Sequence, residues 1–245
     1  GVFKNVNIDV RQYERIKMFM HAEKLFNTDY SDDDTPLVGF LRLGTDFSEN
    51  FYQIERALQF TPFGSSSAEE IWPEVNEIDV ALSDLNKVKS LRIAQRDDGV
   101  PLTELRFYEV VNGEVVEVGE FDPRTVGVNR IGIRGNPSFG SIRAMMVGVK
   151  NTDAVPARGG VWFNELRLAG LDNNGGWAAF AALDANMAYL ASVSAIASIS
   201  IAGFGSIDQI PNERSREDAI SYDMVTNVNV GQLFPKKWGL QIPFT

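Results

Sequence analysis

From Trp177 to Phe204 the chain carries one formal charge, Asp184, and the placement of the other side chains restricts what this run can become. Its length reaches that at which a transmembrane helix enters consideration. Parity points elsewhere. Trp177, Ala179, Ala181, Leu183, Ala185, Met187, Val193, Ala195, Ala197, Ile199 and Ile201 take odd positions, whereas Asp184, Asn186, Ser192, Ser194, Ser198 and Ser200 take even ones. Serines spaced by two and four at constant parity scatter around a helix but line one face of a strand. The helical alternative draws on the alanine content, since alanine is the best helix former; the period of two favours strands. A later segment repeats the pattern without the alanines: Ile220, Tyr222, Met224, Thr226, Val228 and Val230 alternate with Ser221, Asp223, Asn227 and Asn229.

Each of these segments has about the length a tilted strand needs to cross a bilayer. Their connections differ in kind: short near Tyr189-Leu190, long and charged from Gly203 to Asp218, short again at Pro235-Lys236-Lys237. Outer-membrane barrels alternate short inner turns with long outer loops in this way. Trp177, Tyr189, Tyr222, Phe234 and Trp238 fall near segment ends, as an interfacial girdle requires; in a soluble sandwich the same residues are core or edge. The tip at Asn212, Glu213, Arg214, Ser215 and Arg216 is expected to be a hairpin loop between barrel-type strands.

The preceding part is built of shorter β-signals bounded by turn chemistry. "RIKMFMHAE" sets Ile16, Met18, Met20 and Ala22 against Lys17, Phe19, His21 and Glu23. "FYQIERALQF" alternates as well, with Tyr52, Ile54, Leu58 and Phe60 expected inward and Gln53, Glu55 and Gln59 outward. Two Val-rich runs joined by Asn112-Gly113 predict a hairpin with a type I′ turn. "RIGIRG", "IRAMMVGVK" and "GVWFNELRLAG" supply further strands, and Gly132, Gly135 and Gly140 read as a turn between two of them. One helix interrupts the series: Ser83 is the expected N-cap, with Leu85, Val88 and Leu91 on one side, Lys87, Lys89 and Arg92 on the other, and an end before Asp97-Asp98-Gly99. The fold class is therefore mainly β: an antiparallel jelly-roll-like β-sandwich with one short helix over residues 1–170, a linker at 171–176, and amphipathic antiparallel strands of a β-barrel over 177–245.

Chemistry is conspicuous by what is missing. A formal charge of −10 over 245 residues excludes nucleic acid as an expected partner, because phosphate binding needs clustered Lys and Arg. Without cysteine there is neither disulfide nor thiolate. His21 is the only histidine, so neither a His-rich metal site nor a two-histidine relay can be built; it reads as a satisfied strand residue. No G-x-S-x-G elbow, dinucleotide fingerprint or P-loop occurs. Asp29, Asp32, Asp33 and Asp34 offer carboxylates to calcium but lack the EF-loop order, so a solvated acidic loop is the competing reading. No catalysis, cofactor or metal is expected. A carbohydrate-binding sandwich is the rival function, with Trp72 and Trp162 as its platform; core packing is their alternative role.

Long motifs add a resemblance. "VWFNELRLAG", "GGW", "AGFGSIDQ", "NERSREDAISYD" and "GQLFPKKWGLQIP" resemble, in that order and at similar spacing, a segment of the SprA (Sov) family. The likeness extends upstream through "DVRQYERIKMFMHAE", "LRLGTDFSENFYQIE" and "WPEVNEIDVALSDL". Members are very large outer-membrane translocons of the Bacteroidetes type IX secretion system, some also required for gliding motility. The resemblance implies a fragment of a single-chain pore at the cell surface. Its implied partners are the rest of the same chain, outer-membrane lipid, a PorV-type shuttle barrel, periplasmic motor and other secretion-system components, and secreted protein cargo. The run "AAFAALDANMAYLASVSAIAS" departs from the family in a less polar inner face and a less Gly/Asn-marked turn, which leaves its hairpin register open. With the short turn periplasmic and the long loop outside, Trp177 is expected at the outer surface and the sandwich on the outer side, because the Gly/Asn-rich stretch 169–176, even fully extended, reaches only about 25–30 Å.

Overall fold

The computed structural model describes residues 1–24, 35–171, 174–188, 190–206, 208–209, 213–215, 217–239 and 243–244. They divide into two compact units, Gly1–Asp172 and Asn173–Thr245. The acidic run 29–34, with Tyr189, Asn212 and Arg216, lies outside the described residues.

The first unit is built from strands β1 (Val2–Ile8), β2 (Tyr13–Lys24), β3 (Leu37–Gly44), β4 (Phe51–Leu58), β5 (Ile78–Ala81), β6 (Arg106–Val111), β7 (Glu114–Val118), β8 (Asn129–Arg134), β9 (Ile142–Asn151) and β10 (Gly159–Leu171), with helices α1 (Ala68–Ile71) and α2 (Leu82–Asp97). Every pairing is antiparallel. Seven strands form one sheet in the order β1-β9-β3-β4-β8-β6-β7, and three form another in the order β10-β2-β5. A jelly roll divides eight strands between two sheets; here the division is seven and three, and α2 packs beside the short sheet. Ile16, Met18 and Met20 of β2 meet Leu41, Ile54, Ile131 and Ile133 of the large sheet and Leu85 and Val88 of α2 in one core. Alternation placed the β2 residues correctly, because one face of that strand is apolar throughout.

Strand β4 departs from the expected alternation. All eight of its residues are buried, including Gln53 and Glu55, which were expected outward. The reason lies far along the chain: residues 119–124 fold across the outer face of the large sheet and bring Arg124 to Glu55, while β9 brings Lys150. At the other hairpin the sequence and structure agree, Asn112 and Gly113 both taking positive φ (52° and 83°) between β6 and β7.

Three local expectations are corrected. Ser83 does not cap α2, which starts directly from β5 with Ala81 at the N-cap and no side-chain bond there. Arg92 faces inward rather than outward, fully buried, and donates to the carbonyls of Val100, Pro101 and Glu104 that follow the helix. Gly132 lies inside β8, where a Cβ would strike the Phe107 ring; Gly135 alone among the three glycines has the positive φ of a turn, 67°. One short helix went unread: Ser67 accepts from the Glu70 amide and the Glu70 carboxylate accepts from the Ser66 amide, satisfying two exposed donors at the start of α1.

The second unit holds β11 (Ala178–Met187), β12 (Ala191–Ser200), β13 (Ala219–Asn229) and β14 (Pro243–Phe244), in that order in one antiparallel, open sheet. The β11–β12 turn is short, as expected, with Ala188 at φ 48° and the Leu190 amide bonded to Met187. The third connection is not short. It runs from Asn229 to Pro243 through 3-10 turns at Val230–Leu233 and Lys236–Trp238. Pro235 contributes no N–H and holds Phe234 extended between them. Among the described residues no helix is long and apolar enough to cross a membrane.

Candidate functional site

The register of the second unit joins the odd face of β11 and β12 to the even face of β13. Successive cross-strand rows are Ala179, Ile199 and Ile220; Ala181, Ala197 and Tyr222; Leu183, Ala195 and Met224; then Ala185, Val193 and Thr226; and finally Met187, Ala191 and Val228. None carries a charge. The opposite face groups Asp184, Ser194 and Val225, then Asn186, Ser192 and Asn227, into a polar patch over a cavity of about 320 Å³ toward the short turn. Nearer the long loop the same face is mixed, with Ser198 and Ser221 hydroxyls 2.8 Å apart beside Phe180, Ile196 and Asp223.

Little in this unit covers either face. Phe180 is 76% exposed, Ile220 74%, Tyr222 83% and Met224 67%. Phe180 belongs to the mixed face, whereas Ile220, Tyr222 and Met224 lie together on the uncharged one, and a contiguous apolar surface of that kind marks contact with lipid or with another protein surface. The strands run 10, 10 and 11 residues, and at about 3.4 Å per residue tilted near 45° they span about 25 Å, the height of an outer-membrane apolar band. Along its far edge β11 has no partner among the described residues.

The aromatic residues expected at segment ends separate into two groups. Trp177 sits at the long-loop end, its carbonyl accepting from the Ile201 amide, and Tyr222 lies three rows in from that end. Phe234 and Trp238 stack at 6.0 Å beyond β13, at the short-turn end. The loop base accounts for glycines in two of the motifs that carry the family resemblance. Gly203 of "AGFG" takes φ 88°, where a Cβ would run into the Asn174 carbonyl, and a Cβ on Gly176 of "GGW" would strike the backbone of residues 202–204. Two glycines far apart in sequence thus let two backbones touch. The loop returns through Gly203 to Ser215 and Ser215 to Phe204 backbone bonds of 2.7 and 2.8 Å, and Asp218 accepts from the Ala202 amide at 2.8 Å. Glu213 and Arg214 lie within the loop these bonds close.

In the first unit the fully buried Glu55 receives Lys150 at 2.6 Å, Arg124 at 2.8 Å and the Gln53 amide at 2.6 Å. Burial pushes its carboxyl up, but the Lys150 and Arg124 hydrogen bonds outweigh that and hold it below the ordinary glutamate range. Beside it, Arg130 pairs with Glu109 and donates to the carbonyls of Gly119, Asp122 and Pro123. These ties hold the 119–124 strap in place, with Phe121 standing 92% exposed. This arrangement is a structural clamp and contains no nucleophile and base within reach of each other. The sequence does not signal it, since its members are scattered over four strands, β4, β6, β8 and β9, and the strap itself. The two candidate platform residues, Trp72 and Trp162, come together at His21. Trp162 is 49% exposed, which excludes core packing for it.

A sequence family described as motility related/secretion protein, the SprA N-terminal family, matches residues 1–245. No curated protein matches the chain.

Proposed function

The chain belongs to the SprA N-terminal family of motility-related and secretion proteins, and on that premise we propose that it is a non-catalytic, structural segment of an outer-membrane secretion translocon. In this reading strands β11 to β13 form part of a barrel wall that the rest of the parent chain closes, since a barrel takes eight strands or more. The observation that carries it is the in-register sheet whose fifteen odd-face and matched even-face positions, from Ala179 to Val228, hold no charge although none of them is buried. That face meets lipid; the face with Asp184, Asn186, Ser192, Ser194 and Asn227 lines the aqueous lumen. Trp177 and Tyr222 mark one interface, Phe234 and Trp238 the other. The first unit is a β-domain held outside the bilayer. Gliding motility and passage of protein cargo follow from the family resemblance, as do a shuttle barrel and motor components as neighbours.

Site-directed labelling tests the wall. Single cysteines at Ser194, Asn227, Ala195 and Met224 are introduced into a version of the parent protein with any other cysteines replaced, and exposed in whole membranes to a water-soluble maleimide. Labelling at Ser194 and Asn227 with protection at Ala195 and Met224 is expected. Equal labelling at all four positions contradicts a lipid-facing side.

A further inference from the structure

The outer face of the small sheet in the first unit carries an aromatic cluster that the translocon reading does not use. His21 of β2 stands opposite Trp162 of β10, with ring centroids 5.1 Å apart, and Trp72, in the segment after α1, lies 5.7 Å from the imidazole. The His21 side chain is 7% exposed. Its Nδ1 lies 2.6 Å from the Ile71 carbonyl and 2.9 Å from the Thr61 hydroxyl, and its Nε2 lies 2.9 Å from a Glu23 carboxylate oxygen. His21 is therefore a fixed post that positions its neighbours.

Those neighbours are accessible. Trp162 is half exposed, and the side chain of Glu23 is 55% exposed. Gly160, the cross-strand partner of Glu23, lies beneath the indole: a Cβ there would come within 3.0 Å of the ring. The absent side chain lets the Trp162 ring lie back over the strand beside Glu23. A flat aromatic surface, supported from beneath and flanked by an oriented carboxylate, is the arrangement that takes the C–H face of a pyranose while a polar group accepts its hydroxyls. A carboxylate at that position repels acidic sugars.

We propose that Trp162 and Glu23, held by His21 and backed by Trp72, form a binding site for a neutral saccharide. The proposal stands independently of the translocon reading, because the site lies wholly within the first unit. The test uses the full chain, kept in an amine-oxide detergent so that no glycoside detergent competes. Calorimetric titration is carried out with neutral hexasaccharides of glucose, mannose and galactose, and with an acidic uronate hexasaccharide. At least one neutral oligosaccharide is expected to bind with a Kd below about 1 mM, weakened about tenfold or more by Trp162→Ala and by Glu23→Gln. Gly160→Val keeps both side chains but displaces the ring, and is expected to weaken binding comparably with an unchanged circular dichroism spectrum. Absence of binding by every neutral oligosaccharide overturns the proposal, as does undiminished binding by Trp162→Ala or tighter binding of the uronate.

Discussion

Replacing Arg130 with methionine tests whether the strap over the large sheet is held as the contacts imply. The guanidinium, 2% exposed, uses all five of its N–H groups: two on one Glu109 oxygen at 3.0 and 3.1 Å, and three on the carbonyls of Gly119, Asp122 and Pro123 at 3.0 to 3.2 Å. Methionine preserves much of the length and volume and none of the donors. Breaking a buried ion pair by removing one partner costs about 3–5 kcal/mol. Here the lower figure applies, because the side chain of Glu109 keeps 15% exposure and residues 119–123 are exposed, so both can recover water. A loss of about 3 kcal/mol in a domain of this size lowers Tm by about 6–12 °C. Arg130→Lys retains the charge but not the planar fork, and is expected to lose about half as much. Residues 1–172, expressed alone, are unfolded by heat and by urea with tryptophan fluorescence as the signal, and limited proteolysis reads the strap at 119–126. A Tm within 2 °C of the parent for Arg130→Met, with unchanged proteolysis, refutes the assigned role.

Four other outcomes are expected. Ala195→Arg places a charge in the middle row of the uncharged face and costs about 2–4 kcal/mol if that row lies at the bilayer midplane, so outer-membrane assembly of the parent protein falls, whereas Ser194→Arg on the other face is tolerated. Gly203→Val forces a β-branched side chain into φ 88° against the Asn174 carbonyl, and protease cleavage between 204 and 217 increases. The carboxyl of Glu55 is held low when folded, so its stabilisation is present above the ordinary glutamate range and lost as pH falls through the folded value; the Tm of residues 1–172 therefore declines on acidification, and Glu55→Gln is less stable at pH 7 with a flatter acid limb. An epitope inserted at Asn112-Gly113 in the parent protein is expected to be accessible on intact cells, and labelling only after outer-membrane permeabilisation reverses the side assigned to the first unit.

Much of this architecture was legible because it depends on near neighbours in the chain. A period of two places Leu183 and Val193 on one face whatever their strands pair with, and Asn112-Gly113 accepts two positive φ angles without help from elsewhere. Register was another matter: the odd face of β12 joins the even face of β13 because the loop closed by Gly203, Ser215 and Asp218 sets the pairing of Ser200 with Ala219. The polar side chains of β4 give the sharper case. Locally Gln53 and Glu55 belong to a solvent face, and only tertiary structure, by bringing Arg124 and Lys150 from 69 and 95 residues away, makes their burial tolerable. The same holds at His21, whose strand position was evident while the arrival of Trp72 and Trp162 beside it was not. Backbone periodicity is written in adjacent residues; the burial of a charge, and the meeting of rings from separate strands, is decided by whichever distant groups the fold delivers.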